Sequence, residues 1–142
     1  MSQDLEATKQ WVRDFHTAGD SLDVNTWAKW LTDDATIVMG NNPPVQGRDN
    51  FTKAYSHQAG LLSSMYHELI SVDVIENRVY DRAILTYEIK GDDSKEKIKI
   101  PSMVVLHRTE DKKISKLEVF SDPSPLMERV KAIMAAKAQA AA

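Results

Sequence analysis

The run from Tyr66 to Asp122 leaves few folds open, because it reads as four β-strands in succession. Tyr66 to Ile75, Val79 to Lys90, Lys95 to His107 and Lys113 to Ser121 are each rich in β-branched and aromatic residues. Short polar connectors separate them: Glu76-Asn77-Arg78, Gly91-Asp92-Asp93-Ser94 and Thr109-Glu110-Asp111-Lys112. The pattern predicts an antiparallel meander. Such a sheet needs an apolar cover, and the segments before and after it, which read mainly as helix, are the available one.

The chain has 142 residues, which fits one domain with a core large enough to need no disulfide or metal staple. It contains no cysteine, so disulfides, Cys-ligated zinc and thiol nucleophiles are excluded, and a reducing, cytoplasmic location is the expectation. The formal charge of -3 comes from interspersed acids and bases with no basic patch, so nucleic acid is not an expected partner. Met1 to Gln10 is polar and acidic, which reads as neither a signal peptide nor a membrane span.

Within Asp4 to Ala18, Trp11 and Phe15 are four apart on one helical face, with Gly19 as the expected stop. Asp20, Ser21 or Asp23 can cap a second, shorter helix carrying Trp27, Trp30 and Leu31, which Thr32-Asp33-Asp34 ends. Ala35 to Met39 is a short β-prone run that stops at Gly40-Asn41-Asn42-Pro43-Pro44, where a turn is forced. A third helix starts at Gly47-Arg48-Asp49, with Asp49 as N-cap, carries Phe51, Ala54, Tyr55 and Leu61, and ends near Leu62-Ser63-Ser64. After Asp122, Pro123 and Pro125 break the strand, and Leu126 to Ala138 forms a last helix followed by a tail with little to bury.

Strand parity places His67, Leu69, Ser71 and Asp73 on one face of the first long strand and Tyr66, Glu68, Ile70, Val72 and Val74 on the other. On the last strand Glu118, Phe120 and Asp122 oppose Leu117 and Val119. Neither strand has a purely polar face, so both sides of the sheet are expected to be covered, the outer one by a second subunit.

Five blocks carry a family resemblance: Phe15-His16-Thr17-Ala18-Gly19-Asp20; Trp30-Leu31-Thr32-Asp33-Asp34-Ala35-Thr36-Ile37; Pro44-Val45-Gln46-Gly47-Arg48; His67; and Val119-Phe120-Ser121-Asp122-Pro123-Ser124-Pro125-Leu126. In this order they resemble the SnoaL-like branch of the nuclear transport factor 2-like superfamily. The resemblance implies an α+β fold, a cystatin-like cone in which a curved antiparallel sheet wraps around N-terminal helices and encloses an internal pocket, as one domain over residues 1–142. It also implies a homodimer through the outer face of the sheet. That superfamily holds cofactor-free isomerases, cyclases and dehydratases of polyketide or terpenoid chemistry, together with non-catalytic binding and dimerisation modules. The ketosteroid isomerase constellation is missing: Trp11 stands where it has a tyrosine, Met39-Gly40 where it has the acidic base, and Val104 where it has the second acid.

The resemblance places a family histidine at His67 and the SnoaL-like acidic position at Asp122, which makes these two the candidate catalytic pair. An imidazole titrates near neutrality, and a carboxylate beside it can hold its tautomer or take the proton itself. The plainer reading is that Asp122 caps the turn into Pro123 while His67 bonds backbone at a strand end. Tyr66 and Tyr87 are the candidate proton donors. Trp11, Phe15, Trp27, Tyr55, Tyr87 and Phe120 are the candidate walls for a small apolar ligand, with plain core as the alternative reading. His16, His57 and His107 lack metal-ligand spacing, and no metal or other cofactor is expected.

Overall fold

The computed structural model describes residues 2–142 and runs α1 (Ser2–Asp20), α2 (Val24–Ala28), β1 (Leu31–Met39), β2 (Val45–Gln46), α3 (Arg48–Ala59), β3 (Leu62–Ile75), β4 (Arg78–Ile89), β5 (Ile98–Arg108), β6 (Ile114–Ser121) and α4 (Ser124–Ala141). The four long strands pair antiparallel in chain order, so the meander expected from the sequence is present. They form part of one curved, unclosed six-stranded sheet, ordered β2-β1-β6-β5-β4-β3. β1 joins it in parallel to β6. The strand begins at Leu31 rather than Ala35, because Leu31 pairs with Ile114 of β6, a partner 83 residues away in sequence that local propensity does not reveal.

Four local expectations are corrected. Helix α1 runs through Gly19 to Asp20, so Gly19 is a site of close packing and not a stop. A Cβ there would sit 2.8 Å from Trp27 Cε2, and the missing side chain lets the indole lie against the helix. Leu31 belongs to β1 and not to the second helix, whose N-cap is Asp23. Gly47, at φ 90°, and not Asp49, is the N-cap of α3, whose helix ends at Ala59; Leu62 already opens β3. A register shift between Leu69 and Ser71 resets the parity of β3, so Val72 turns inward to join Val79 and Leu106 in the core instead of following Tyr66 and Ile70.

The concave face of the sheet holds Val79, Leu106, Ile114 and Leu117, covered by Val12 and Phe15 of α1, Ala28 of α2, and Phe51 and Tyr55 of α3. A second apolar cluster gathers Leu62, Met65, Tyr87, Ile89, Ile98 and Ile100 beneath Leu126 and Val130 of α4. The convex face remains bare, with Tyr66 62%, Ile70 43% and Phe120 56% exposed.

Helix α4 is pinned at one further point. Arg129 donates from Nη2 to Asp92 Oδ1 at 2.8 Å and from Nε to Asp92 Oδ2 at 3.2 Å, and Ser94 Oγ–H adds a bond to the same carboxylate. These partners hold the Asp92 carboxyl down to about 2, from an ordinary 3.8. A carboxyl depressed in the folded state contributes stability that is complete above its unfolded value and is lost as pH falls through the folded one. Thermal unfolding followed between pH 5 and 2 should therefore show a loss of stability concentrated below about pH 4 that is smaller in Asp92→Asn. Identical acid profiles for the two proteins would show that this clamp adds nothing to folding.

Candidate active site

Between the concave sheet and the helices lies a cavity of about 750 Å³. Its exposed lining residues, Gly40, Asn41, Asn42, Asp122, Pro123 and Met127, gather at the β1–β2 turn and the β6–α4 junction, which together form its mouth. Its enclosed wall is mainly apolar and aromatic, with Phe15, Trp27, Phe51, Tyr55, Met65, Tyr87 and Ile100.

Polar side chains interrupt that wall, among them His16 of α1 and His67 and Asp81 of the sheet; Asp20 of α1 does not line the cavity itself but bonds His67. His16 and Asp20 are four apart on α1 and so share the helical face turned to the sheet. His67 on β3 and Asp81 on β4 belong to the concave face opposite. The pairing is crossed. His67 Nδ1 lies 2.5 Å from Asp20 Oδ1, and the His67 backbone N–H donates to Asp20 Oδ2 at 3.1 Å, so one carboxylate fixes both the ring and its main chain. His16 Nε2 lies 2.6 Å from Asp81 Oδ2. A carboxylate only accepts, so Nδ1 of His67 and Nε2 of His16 carry the protons. The two imidazoles stack, with centroids 4.4 Å apart and planes at 13°.

Burial is deep: side-chain exposure is 7% for His67, 19% for Asp20, 6% for His16 and 2% for Asp81. Among the described residues, the second ring nitrogen of His67, Nε2, has no hydrogen-bond partner, while the residue lines the cavity. Among the described residues, the buried side-chain polar atoms lacking any partner are Asp81 Oδ1 and Trp27 Nε1, both on cavity-lining residues. Each orphan costs about 1–3 kcal/mol, a penalty concentrated at this wall. No three His, Asp or Glu side chains among the described residues converge so as to hold a metal ion.

Two phenols complete the wall. Burial raises Tyr87 to about 12, with the Asp20 charge adding to it, and burial likewise raises Tyr55 well above the ordinary phenol range, with Tyr87 and Asp20 contributing. Both are therefore hydrogen-bond donors at any physiological pH. Tyr55 O–H uses its proton weakly, 3.6 Å from Met65 Sδ.

His67 and Asp122, the pair expected from the sequence, both line the cavity but make separate bonds. Asp122 is exposed at the mouth, where its Oδ1 accepts from the Ser124 backbone N–H at 3.0 Å and from Ser124 Oγ–H at 2.5 Å. Those bonds lower the Asp122 carboxyl below its ordinary range. Phe15, Trp27, Tyr55, Tyr87 and Phe120 line the cavity as expected, Phe120 at its exposed edge. Trp11 does not: it stacks on Phe15 a turn nearer the start of α1, where its indole N–H donates to Lys112 O at 3.3 Å and Arg108 lies over its ring at 4.9 Å. Tyr66 points to the convex face and is no donor to the cavity.

The sequence reading passed over Asp20, Asp81 and His16 as site residues. A signal for Asp81 exists in strand parity, since it falls on the face of Val79, Ala83 and Tyr87, where an unpaired carboxylate is costly.

Residues 12–117 of the chain match the SnoaL-like domain family, a span that takes in both dyads but ends before Asp122. The chain belongs to that family. Solved structures agree on the fold of this SnoaL-like domain. PrhC from Penicillium brasilianum NBRC 6234 is 15% identical, with 94% of this chain and 91% of that one covered at a TM-score of 0.76. A protein from Jannaschia sp. CCS1 described as a SnoaL-like polyketide cyclase is 16% identical, with 87% and 90% covered at 0.72. SalBIII, an epoxide hydrolase/cyclase-like enzyme of pyran ring formation in the polyether salinomycin, is 18% identical, with 87% and 96% covered at 0.71. No curated protein sequence matches the chain significantly. Among the described residues no helix is long and apolar enough to cross a membrane.

Proposed function

We propose that this SnoaL-like domain is a cofactor-free enzyme that moves protons on a small, mostly apolar molecule of polyketide or terpenoid type, as an isomerase, cyclase or dehydratase. The observation that carries the reading is His67 in the wall of an apolar cavity, held by Asp20, with the ring's second nitrogen given no partner among the described residues. Asp20 fixes the tautomer in which Nε2 is the free base and stabilises the imidazolium formed when that nitrogen takes a proton. Tyr87 and Tyr55, kept protonated by burial, are the donors available to an oxygen on which negative charge develops. Asp122, held by Ser124 at the mouth, orients the polar end of the substrate as it enters.

A generic carbon acid tests this without knowledge of the natural substrate. 5-Nitrobenzisoxazole opens to a cyanophenolate when a base removes its C3 proton. The protein should turn it over with saturation, and Asp122→Asn should lower kcat/KM by less than about tenfold through KM, because Asp122 touches the ligand but not the proton in flight. A complete loss in Asp122→Asn would instead make Asp122 the base, while no turnover at all by the unaltered protein would defeat the reading.

The convex face supports a homodimer as part of the same proposal. Tyr66, Ile70 and Phe120 leave an exposed apolar band across the outer surface of the sheet. Sedimentation of the purified chain should give twice the chain mass, and Tyr66→Lys combined with Phe120→Lys should return a monomer; a monomeric unaltered chain removes the dimer from the proposal.

A further inference from the structure

Nothing in the acid–base reading requires the second dyad, yet it is the more deeply buried of the two. His16 and Asp81 bring a charged group into the core at 2% side-chain exposure, with one carboxylate oxygen unpartnered. A well-packed apolar pair of similar volume is commonly as stable as a buried ion pair, so stability alone gives no reason for it. Both residues line the cavity, and the contact that reaches the reactive group is face to face: the His16 ring lies parallel to the His67 ring at 4.4 Å.

That contact does two things for a ring that must accept a proton. A His67 imidazole bonded through Nδ1 alone can still rock about its Cβ–Cγ bond within the tolerance of that hydrogen bond, and a flat ring against its face narrows the motion and keeps Nε2 aimed in one direction. When His67 becomes an imidazolium, the π face of a neutral neighbour attracts it. The neighbour must then be flat, aromatic and fixed. His16 is fixed, because Asp81 holds its Nε2 at 2.6 Å.

We propose that His16, anchored by Asp81, is a positioning residue for His67, supplying the aromatic face that orients the reactive imidazole and stabilises its protonated form. The assignment rests on the reading of the cavity as an acid–base site. In it, the crossed arrangement of the two dyads is a device for setting one ring by means of the other.

The test uses the full chain and paired substitutions, because removing one partner alone strands a buried charge. His16→Leu with Asp81→Leu removes the aromatic face and leaves an apolar site. His16→Phe with Asp81→Leu restores the face without the dyad. Two readouts are taken: kcat and KM for 5-nitrobenzisoxazole, and the downfield proton resonance of His67 Nδ1–H bonded to Asp20. The leucine pair should lower kcat by about tenfold to a hundredfold with KM little changed, and should broaden or abolish the resonance. The phenylalanine pair should rescue both, kcat to within about threefold of the unaltered protein.

Equal, full activity and an intact resonance in the leucine pair would overturn the proposal and leave His16 as plain core. Failure of the phenylalanine pair to rescue would also overturn it, showing that the polar dyad itself is needed. If the unaltered protein leaves 5-nitrobenzisoxazole untouched, the enzymatic reading falls by itself. The resonance then still decides whether His16 positions His67, and its absence from the unaltered protein counts against the proposal.

Discussion

His67→Gln should lower turnover of 5-nitrobenzisoxazole by about a hundredfold to ten-thousandfold, the range general-base groups contribute. Glutamine has similar reach and can still bond Asp20, so the cavity should keep its shape while losing the lone pair of His67 Nε2. KM should change little, since ligand affinity comes from the aromatic wall of Phe15, Trp27 and Tyr87. A variant that retains a tenth of the activity, or loses it only through KM, would move the base to another group, and Asp122 would be the next to test.

His16→Leu alone should destabilise the folded chain by about 3–5 kcal/mol, measured as a shift of the urea midpoint. Among the described residues, the side chain it removes is the only hydrogen-bond partner of a carboxylate that is 2% exposed and already has Oδ1 unpaired. Two unsolvated carboxylate oxygens are far costlier than the lost contact. Adding Asp81→Leu should therefore recover most of the loss, because the liability is the stranded charge rather than the missing ring. A small effect of His16→Leu would show that Asp81 reaches water or carries a proton in the folded chain. A large loss that Asp81→Leu fails to rescue would place the stability in His16 packing against Phe15 and His67.

The two experiments depend on each other in a useful way. The stability measurement establishes that the paired leucine substitution folds, which is the condition for reading its effect on catalysis. The kinetic measurement on His67 establishes which ring carries the chemistry that the other would orient.

Long-range pairing marks the limit of what local pattern conveys about this chain. Tyr66 to Ser121 declared itself as a meander because hairpin-linked strands pair with their sequence neighbours, and the alternation of apolar residues and the polar connectors are local signals. Helix α1 was equally plain from Trp11 and Phe15, and family blocks spread along the chain carried the fold class and the pocket. The parallel alliance of β1 with β6, the inward turn of Val72 after the register shift, and the use of Gly19 as a seat for Trp27 were decided by contacts between distant segments.

The site divides along the same line. His67 was legible through its family position, while strand parity left open which face of β3 is the inner one. Its partner was not. Asp20 lies 47 residues away at the end of a helix, where an acidic residue reads locally as a cap, and only the packing of α1 across β3 brings its carboxylate to the imidazole. Asp122 carries the family signal, yet its neighbour Ser124 satisfies it at the mouth, because a hydroxyl and an N–H two residues away outcompete a partner across the cavity. The sequence by itself determined the meander, the amphipathic helix and the presence of titratable groups near an apolar wall. Tertiary structure alone decided which carboxylate meets which histidine, because a hydrogen bond requires a separation near 3 Å, and only the docking of a helix on a sheet sets distances that fine.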